Sequence, residues 1–145
     1  MKKLNLIAVL VSFVGLLLSG CATAQLTSDV SPGAKLEEAR TFYVVHLPKD
    51  DRGVDKLIAD RLNTMGKQAT FGEKETAPAD VDAIVTYQDK WMWDITMYMI
   101  ELNVQLRQPK TDIAIASGHS LRTSLVRKSP PEMVSEVLND IFKKR

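Results

Sequence analysis

Several groups of residues in this 145-residue chain are of a type and spacing that could do chemistry. Ser117-Gly118-His119-Ser120 sets hydroxyls beside an imidazole, the raw material of a Ser–His hydrolase. Such a nucleophile needs a base within hydrogen-bond reach and a third group that orients the base. No nucleophile-elbow sequence surrounds these residues, and strand alternation sends His119 and Ser120 to opposite faces, so a polar strand end is the plainer reading. His46 and His119 are the only histidines, too few and too separated to suggest zinc, and no metal is expected. Asp80, Asp82, Asp89 and Asp94 lack the Gly and Glu of a calcium-binding loop and read as solvated acids flanking strands. Arg122, Arg127 and Lys128, with Arg107 and Lys110, could meet anionic lipid headgroups, where each near-surface cation gains ~1 kcal/mol. A solvated basic loop is the alternative.

The remaining reactive group is Cys21, the single thiol. Lys2 and Lys3 open the chain, and an apolar run from Leu4 to Leu18 follows, broken only by Asn5, Ser12 and Gly15. That is the layout of a secretory signal. The run is short for a membrane span of ~20 residues, and no positive cluster follows it as a stop signal. A lone unpaired cysteine in an exported chain needs an explanation. Leu18-Ser19-Gly20-Cys21 resembles the lipobox of bacterial lipoproteins. The resemblance implies that Cys21 receives a diacylglyceryl group, that the chain is cut before it, and that the new N-terminus is acylated. Ala22, where an aspartate would imply inner-membrane retention, implies the periplasmic face of the outer membrane. Several acyl chains, at ~0.8 kcal/mol per buried methylene, would hold firmly. No other cofactor is expected.

The positioning elements follow from the rest. Residues 1–20 are expected as signal peptide, 21–39 as lipidated N-terminus and flexible tether, and 40–145 as one α+β domain. The tether, rich in small and polar residues around Pro32-Gly33, would have an end-to-end distance of roughly 23 Å. Lys2 and Lys3 leave with the signal, so 17 basic residues face 18 acidic ones and the mature formal charge is −1. No strong field draws such a chain to nucleic acid. Without a second cysteine there is no intramolecular disulfide, and the fold must rest on its apolar core.

Thr41–Leu47 is β-branched and aromatic and predicts a strand. Val54, Leu57, Ile58, Leu62 and Met65 fall at helical spacing, with Gly66 as a C-terminal cap. Strands are expected at Gln68–Gly72, Val81–Tyr87, Asp94–Arg107 and Asp112–Leu121, the last with a possible bulge near Ser117-Gly118. Ser129-Pro130-Pro131-Glu132 has capping-box spacing ahead of a helix whose Met133, Val134, Val137, Leu138, Ile141 and Phe142 form an apolar stripe. The order β-α-β-β-β-β-α predicts a two-layer sandwich: a mostly antiparallel sheet of about five strands, with both helices on one face and the other face partly wet.

Trp91-Met92-Trp93 is the most informative local feature. Strict alternation from there puts Trp91, Trp93, Ile95, Met97 and Met99 on the face that continues as Glu101, Asn103, Gln105 and Arg107. Trp91, Trp93, Met97 and Met99 would then form an exposed apolar patch for a partner or lipid-like ligand. Alternatively, a loop or helix covers them as core, or Trp91-Met92-Trp93 lies in a bend.

Residues 81–141 resemble a family of small, poorly characterised proteobacterial lipoproteins. The architecture is more loosely similar to two-layer α/β envelope lipoproteins that act as accessories to outer-membrane machines. Neither likeness supplies catalytic residues. The expected function is therefore a non-catalytic, lipid-anchored binding or accessory protein of the envelope, its partner an envelope protein or a second copy. The alternatives are a self-associating structural lipoprotein and a hydrolase using His119 and Ser120.

Overall fold

A computed structural model describes residues 23–143. The signal segment and Cys21 lie outside the described residues. The elements are β1 (Ala24–Val30), β2 (Thr41–Val45), α1 (Val54–Thr64), β3 (Gln68–Gly72), β4 (Ala83–Trp93), β5 (Met97–Arg107), β6 (Ala114–Arg122) and α2 (Pro130–Lys143). They build one six-stranded sheet in the order β1-β6-β5-β4-β2-β3. β2 runs parallel to β3 and β4, and β4, β5 and β6 form an antiparallel meander. α2 packs on β1, β5 and β6, α1 packs on β2 and β3, and the helices touch each other. This is the expected α+β two-layer arrangement, with one strand more than the sequence predicted.

Each helix is amphipathic and buries its stripe. α1 contributes Val54, Ile58, Ala59 and Leu62, and α2 contributes Met133, Val134, Val137, Leu138 and Ile141. Gly66 adopts φ 81°, and the Gly66 and Lys67 N–H groups bond back to Asn63 O and Leu62 O, closing α1 as a glycine cap does. At the start of α2 the Glu132 carboxylate accepts both the N–H and the hydroxyl of Ser129, at 2.8 and 2.6 Å. Those bonds hold the Glu132 carboxyl below the usual carboxylate range. Among the described residues the opposite sheet face carries no α-helix, and it is lined by Thr86, Gln88, Asn103, Gln105, Arg107, Ser117 and His119.

Two differences from the sequence reading matter for function. The added strand, β1, lies inside the segment read as a flexible tether. Its seven residues pair antiparallel with β6, from Ala24 opposite Arg122 to Val30 opposite Ala116. Ser28 Oγ donates to Asp140 Oδ2 at 2.7 Å, and Leu36 is buried in the core. The pairing is mainly backbone, so only Leu26 and Val30 signal it as apolar residues. The other difference is a bulge. Lys90 pairs with Glu101 but Trp91 pairs with Met99, which leaves Ile100 without a partner. An extra residue inverts the alternation beyond it. Met99 therefore turns inward with Leu102, Val104 and Leu106, all four fully buried. The bulge considered near Ser117-Gly118 falls instead at Ile115, between the pairs Leu106–Ala116 and Arg107–Ala114.

Candidate functional site

β4 runs on past Tyr87 to Trp93, and with β5 it makes a long hairpin turning at Asp94-Ile95-Thr96. Beyond the bulge the hairpin outruns the helices, and its apolar side chains lose their cover. Trp93 is 70% exposed, Ile95 85% and Met97 45%. Trp93 and Met97 sit directly opposite each other on neighbouring strands. Met92 is also exposed.

The tip is braced rather than loose. Asp94 accepts the Ile95 N–H at 2.8 Å and the Ser124 hydroxyl at 2.5 Å. Arg127 donates to Thr96 Oγ1 at 3.1 Å and lies 5.3 Å over the Tyr98 ring. The β6–α2 loop is thereby fastened to the hairpin, and it presents Leu125, 73% exposed, beside Ser124. The start of β1 is tied to this same loop. Thr23 N–H donates to Thr123 Oγ1 at 2.9 Å, and Thr123 N–H donates to Thr23 O at 3.1 Å. One end of the molecule thus gathers the hairpin tip, the β6–α2 loop and the first described residue of the chain.

Of the four residues expected in the patch, Trp93 and Met97 are exposed at this tip. Trp91 is half-buried against the core, with the Arg52 guanidinium 4.5 Å over its ring and its Nε1–H donated to Asp89 at 2.5 Å. Met99 is core, because the Ile100 bulge turned it inward; its place in a contact patch is withdrawn. The basic group is corrected as well. Arg122 and Lys128 both engage Glu136, and Ser120 donates to the same carboxylate at 2.5 Å. Burial raises the Glu136 pKa, but the bonds from Arg122, Lys128 and Ser120 outweigh it and the net displacement is downward. Arg122 and Lys128 thus share one carboxylate on the helix side of the sheet rather than standing as free surface cations. Arg127 remains at the tip, engaged with Thr96 and Tyr98.

Ser120 and His119 point to opposite faces. His119 Nε2 lies 3.2 Å from Glu101 on the open face, where Glu101 also meets Lys90 and Asn103. Hydrogen bonds from Asn103 and Lys90 hold the Glu101 carboxyl below the usual range. No Ser–His pairing forms between these two residues.

A cluster that sequence reasoning missed sits at the start of α1, where ligand-type atoms of His46, Asp50 and Asp55 lie within 4.8 Å of one another. Asp50 accepts N–H groups of Arg52 and Val54 at 2.7 and 2.6 Å and the Tyr87 hydroxyl at 2.7 Å. Asp55 Oδ2 pairs with His46 Nδ1 at 2.8 Å while its Oδ1 accepts the Lys56 N–H. The carboxylate oxygens are already occupied by donors, the chemistry of a helix-start clamp. Asp50, four residues before the first helical position, was the available signal.

No family model matches the chain, and no curated protein does. Among solved structures the fold is similar to PelC from Paraburkholderia phytofirmans, a dodecamer. A leucine-to-methionine variant of PelC matches with a TM-score of 0.60 at 12% identity, over 85% of this chain and 100% of that one. A second PelC crystal form matches with a TM-score of 0.57 at 12% identity, over 82% and 97%. At that identity the likeness is one of fold.

Proposed function

We propose that the chain is a lipid-anchored, non-catalytic binding or accessory protein of the bacterial envelope, held through Cys21 at the periplasmic face of the outer membrane. Its contact surface is the hairpin end, Trp93, Ile95 and Met97. One observation carries this reading: large apolar side chains stand exposed on a tip that hydrogen bonds hold in place. Single exposed apolar residues are ordinary, but a contiguous rigid group marks a contact site. The n-region, apolar run and Leu18-Ser19-Gly20-Cys21 support the anchor.

In-cell photo-crosslinking tests the surface. A photoreactive residue at 93 or 97 is expected to give adducts, and one at Gln105 or Ser117 on the open face is expected to give none. Equal labelling from all four positions would remove the tip's special status. Mass spectrometry of the mature N-terminus tests the anchor, which fails if Cys21 carries no acyl chains.

The dodecameric state of PelC favours a second reading, a lipoprotein that assembles with itself. Among the described residues β1 and β3 are the two edges of the sheet, and unpaired edges are templates for association. Sedimentation of the detergent-solubilised chain is expected to show a mass that rises with concentration if this holds, and a constant monomer mass if it does not.

A further inference from the structure

We infer that the hairpin end is a second membrane contact, and that Trp93, Ile95 and Leu125 insert into the interface of the bilayer that holds the lipid anchor. The inference rests on the anchored reading above and names the occupant of its contact surface as lipid.

A flexible tether of 18 residues would let the domain stand well away from the membrane. β1 removes that freedom, because Thr23, two residues after Cys21, is already bonded to Thr123 and leads directly into the strand. Two residues extend at most about 7 Å. Wherever the acyl chains enter the bilayer, the start of β1 must lie in or against the headgroup layer, itself only about 5–7 Å deep on each side.

The hairpin points the same way. β1 begins level with Arg122, and the last β5–β6 pair is Glu101 with Leu121. From that level β5 continues past the bulge for three more residues to Met97, a projection of roughly 10 Å at ~3.3 Å per residue, and the turn at Ile95 lies beyond it. The tip therefore extends past the start of β1 by more than the two-residue leash can hold the domain off. The loop carrying Leu125 is bonded to both Thr23 and the tip and moves with them.

The residue types suit that depth. Tryptophan prefers the headgroup level, and isoleucine, leucine and methionine the acyl boundary just below it. The polar groups of the turn are largely satisfied within the protein, Asp94 by Ser124 and Ile95, and Thr96 by Arg127. These bonds lower the desolvation cost that opposes insertion.

The test uses the full acylated chain reconstituted in phosphatidylcholine vesicles whose acyl chains carry bromine, a short-range quencher of tryptophan. Trp91 and Trp93 are the only two tryptophans. In a Trp91→Phe variant, Trp93 emission is expected to fall at least twofold relative to unbrominated vesicles, and Ile95→Asp is expected to abolish that loss. A tryptophan at Ile113, in the β5–β6 turn at the other end of β5, placed by Ile113→Trp with both native tryptophans changed to Phe, is expected to stay unquenched. Should Trp91→Phe fail to fold, the comparison of wild type with Trp93→Phe isolates the same signal.

An acylated chain that floats with the vesicles yet keeps Trp93 unquenched overturns the inference and leaves the anchor standing. Trp93 emission that is blue-shifted but unquenched, and that depends on protein density, puts a second copy on the tip and also overturns it. A chain without acyl mass on Cys21 overturns the anchor and this inference together, a result that mass spectrometry separates from the first two.

Discussion

Single carboxylates organise the loops that feed this fold, and the His46–Asp55 pair makes one of them sensitive to pH. The hydrogen bond from Asp55, 2.8 Å away, lifts the His46 pKa above its ordinary value. A histidine whose pKa is raised on folding stabilises the fold fully below its unfolded value of ~6.5, and the contribution disappears as pH rises through the folded value. Wild-type stability is therefore expected to decline from about pH 6 upward through this window, with His46→Gln flattening that part of the profile. Urea midpoints across the range check it, and a variant with an unchanged slope would leave His46 no part in the clamp. Glu136 is the second such carboxylate. It takes bonds from Arg122, Lys128 and Ser120, so Glu136→Ala strands a mostly buried guanidinium and a buried hydroxyl. The expected cost is about 2 kcal/mol, measured by denaturant unfolding. A loss under about 0.5 kcal/mol would mean that water replaces the carboxylate at no penalty.

α2 packs closely on β6. A Cβ added at Gly118 would lie 2.8 Å from Val137 Cγ1 and 2.9 Å from Ile141 Cδ1. Gly118→Ala must push the helix off the sheet, at an expected cost of about 1–3 kcal/mol. That should appear as a lower urea midpoint with the slope m unchanged; an unaltered midpoint would show that the helix shifts freely. This glycine looked from the sequence like a possible bulge, because period-2 reasoning sees a missing side chain but not the helix that requires its absence. The same limit explains what else was legible. The two helical stripes and the meander were readable because each depends on a local period in apolar residues. β1 was not, since Gln25, Thr27 and Asp29 are polar and its pairing is made by backbone to a strand far along the chain. The Ile100 bulge was not either. Nothing local distinguishes Ile100 from its neighbours, yet one unpaired residue moved Met99 from an expected patch into the core while Trp93 and Met97 stayed exposed. The site was thus half legible: its residue types were visible, and their parity was not.

At the scale of the whole molecule, charge and apolar surface are sorted in a way that decides how the protein would meet a membrane. A cationic protein is drawn to anionic lipid by long-range attraction, and salt weakens it. Residues 21–145 carry a formal charge of −1, and Arg122 and Lys128 share the single Glu136 carboxylate. Beside Arg127, which is engaged with Thr96 and Tyr98, the hairpin end presents Trp93, Ile95, Met97 and Leu125, whose transfer from water depends on buried area rather than on field. Raising salt from about 0.1 M to about 1 M shortens the screening length from ~10 Å to ~3 Å. Bromolipid quenching of Trp93 is expected to change less than twofold over that range, and to be alike in zwitterionic and anionic vesicles. A steep fall with salt would instead assign the contact to cations such as Arg127, because apolar partitioning has no term that salt screens. Strengthening by salt would still fit the apolar account, since excluded salts favour burial. The direction of the salt response therefore separates two physical origins for one contact, which crosslinking or quenching at a single ionic strength does not.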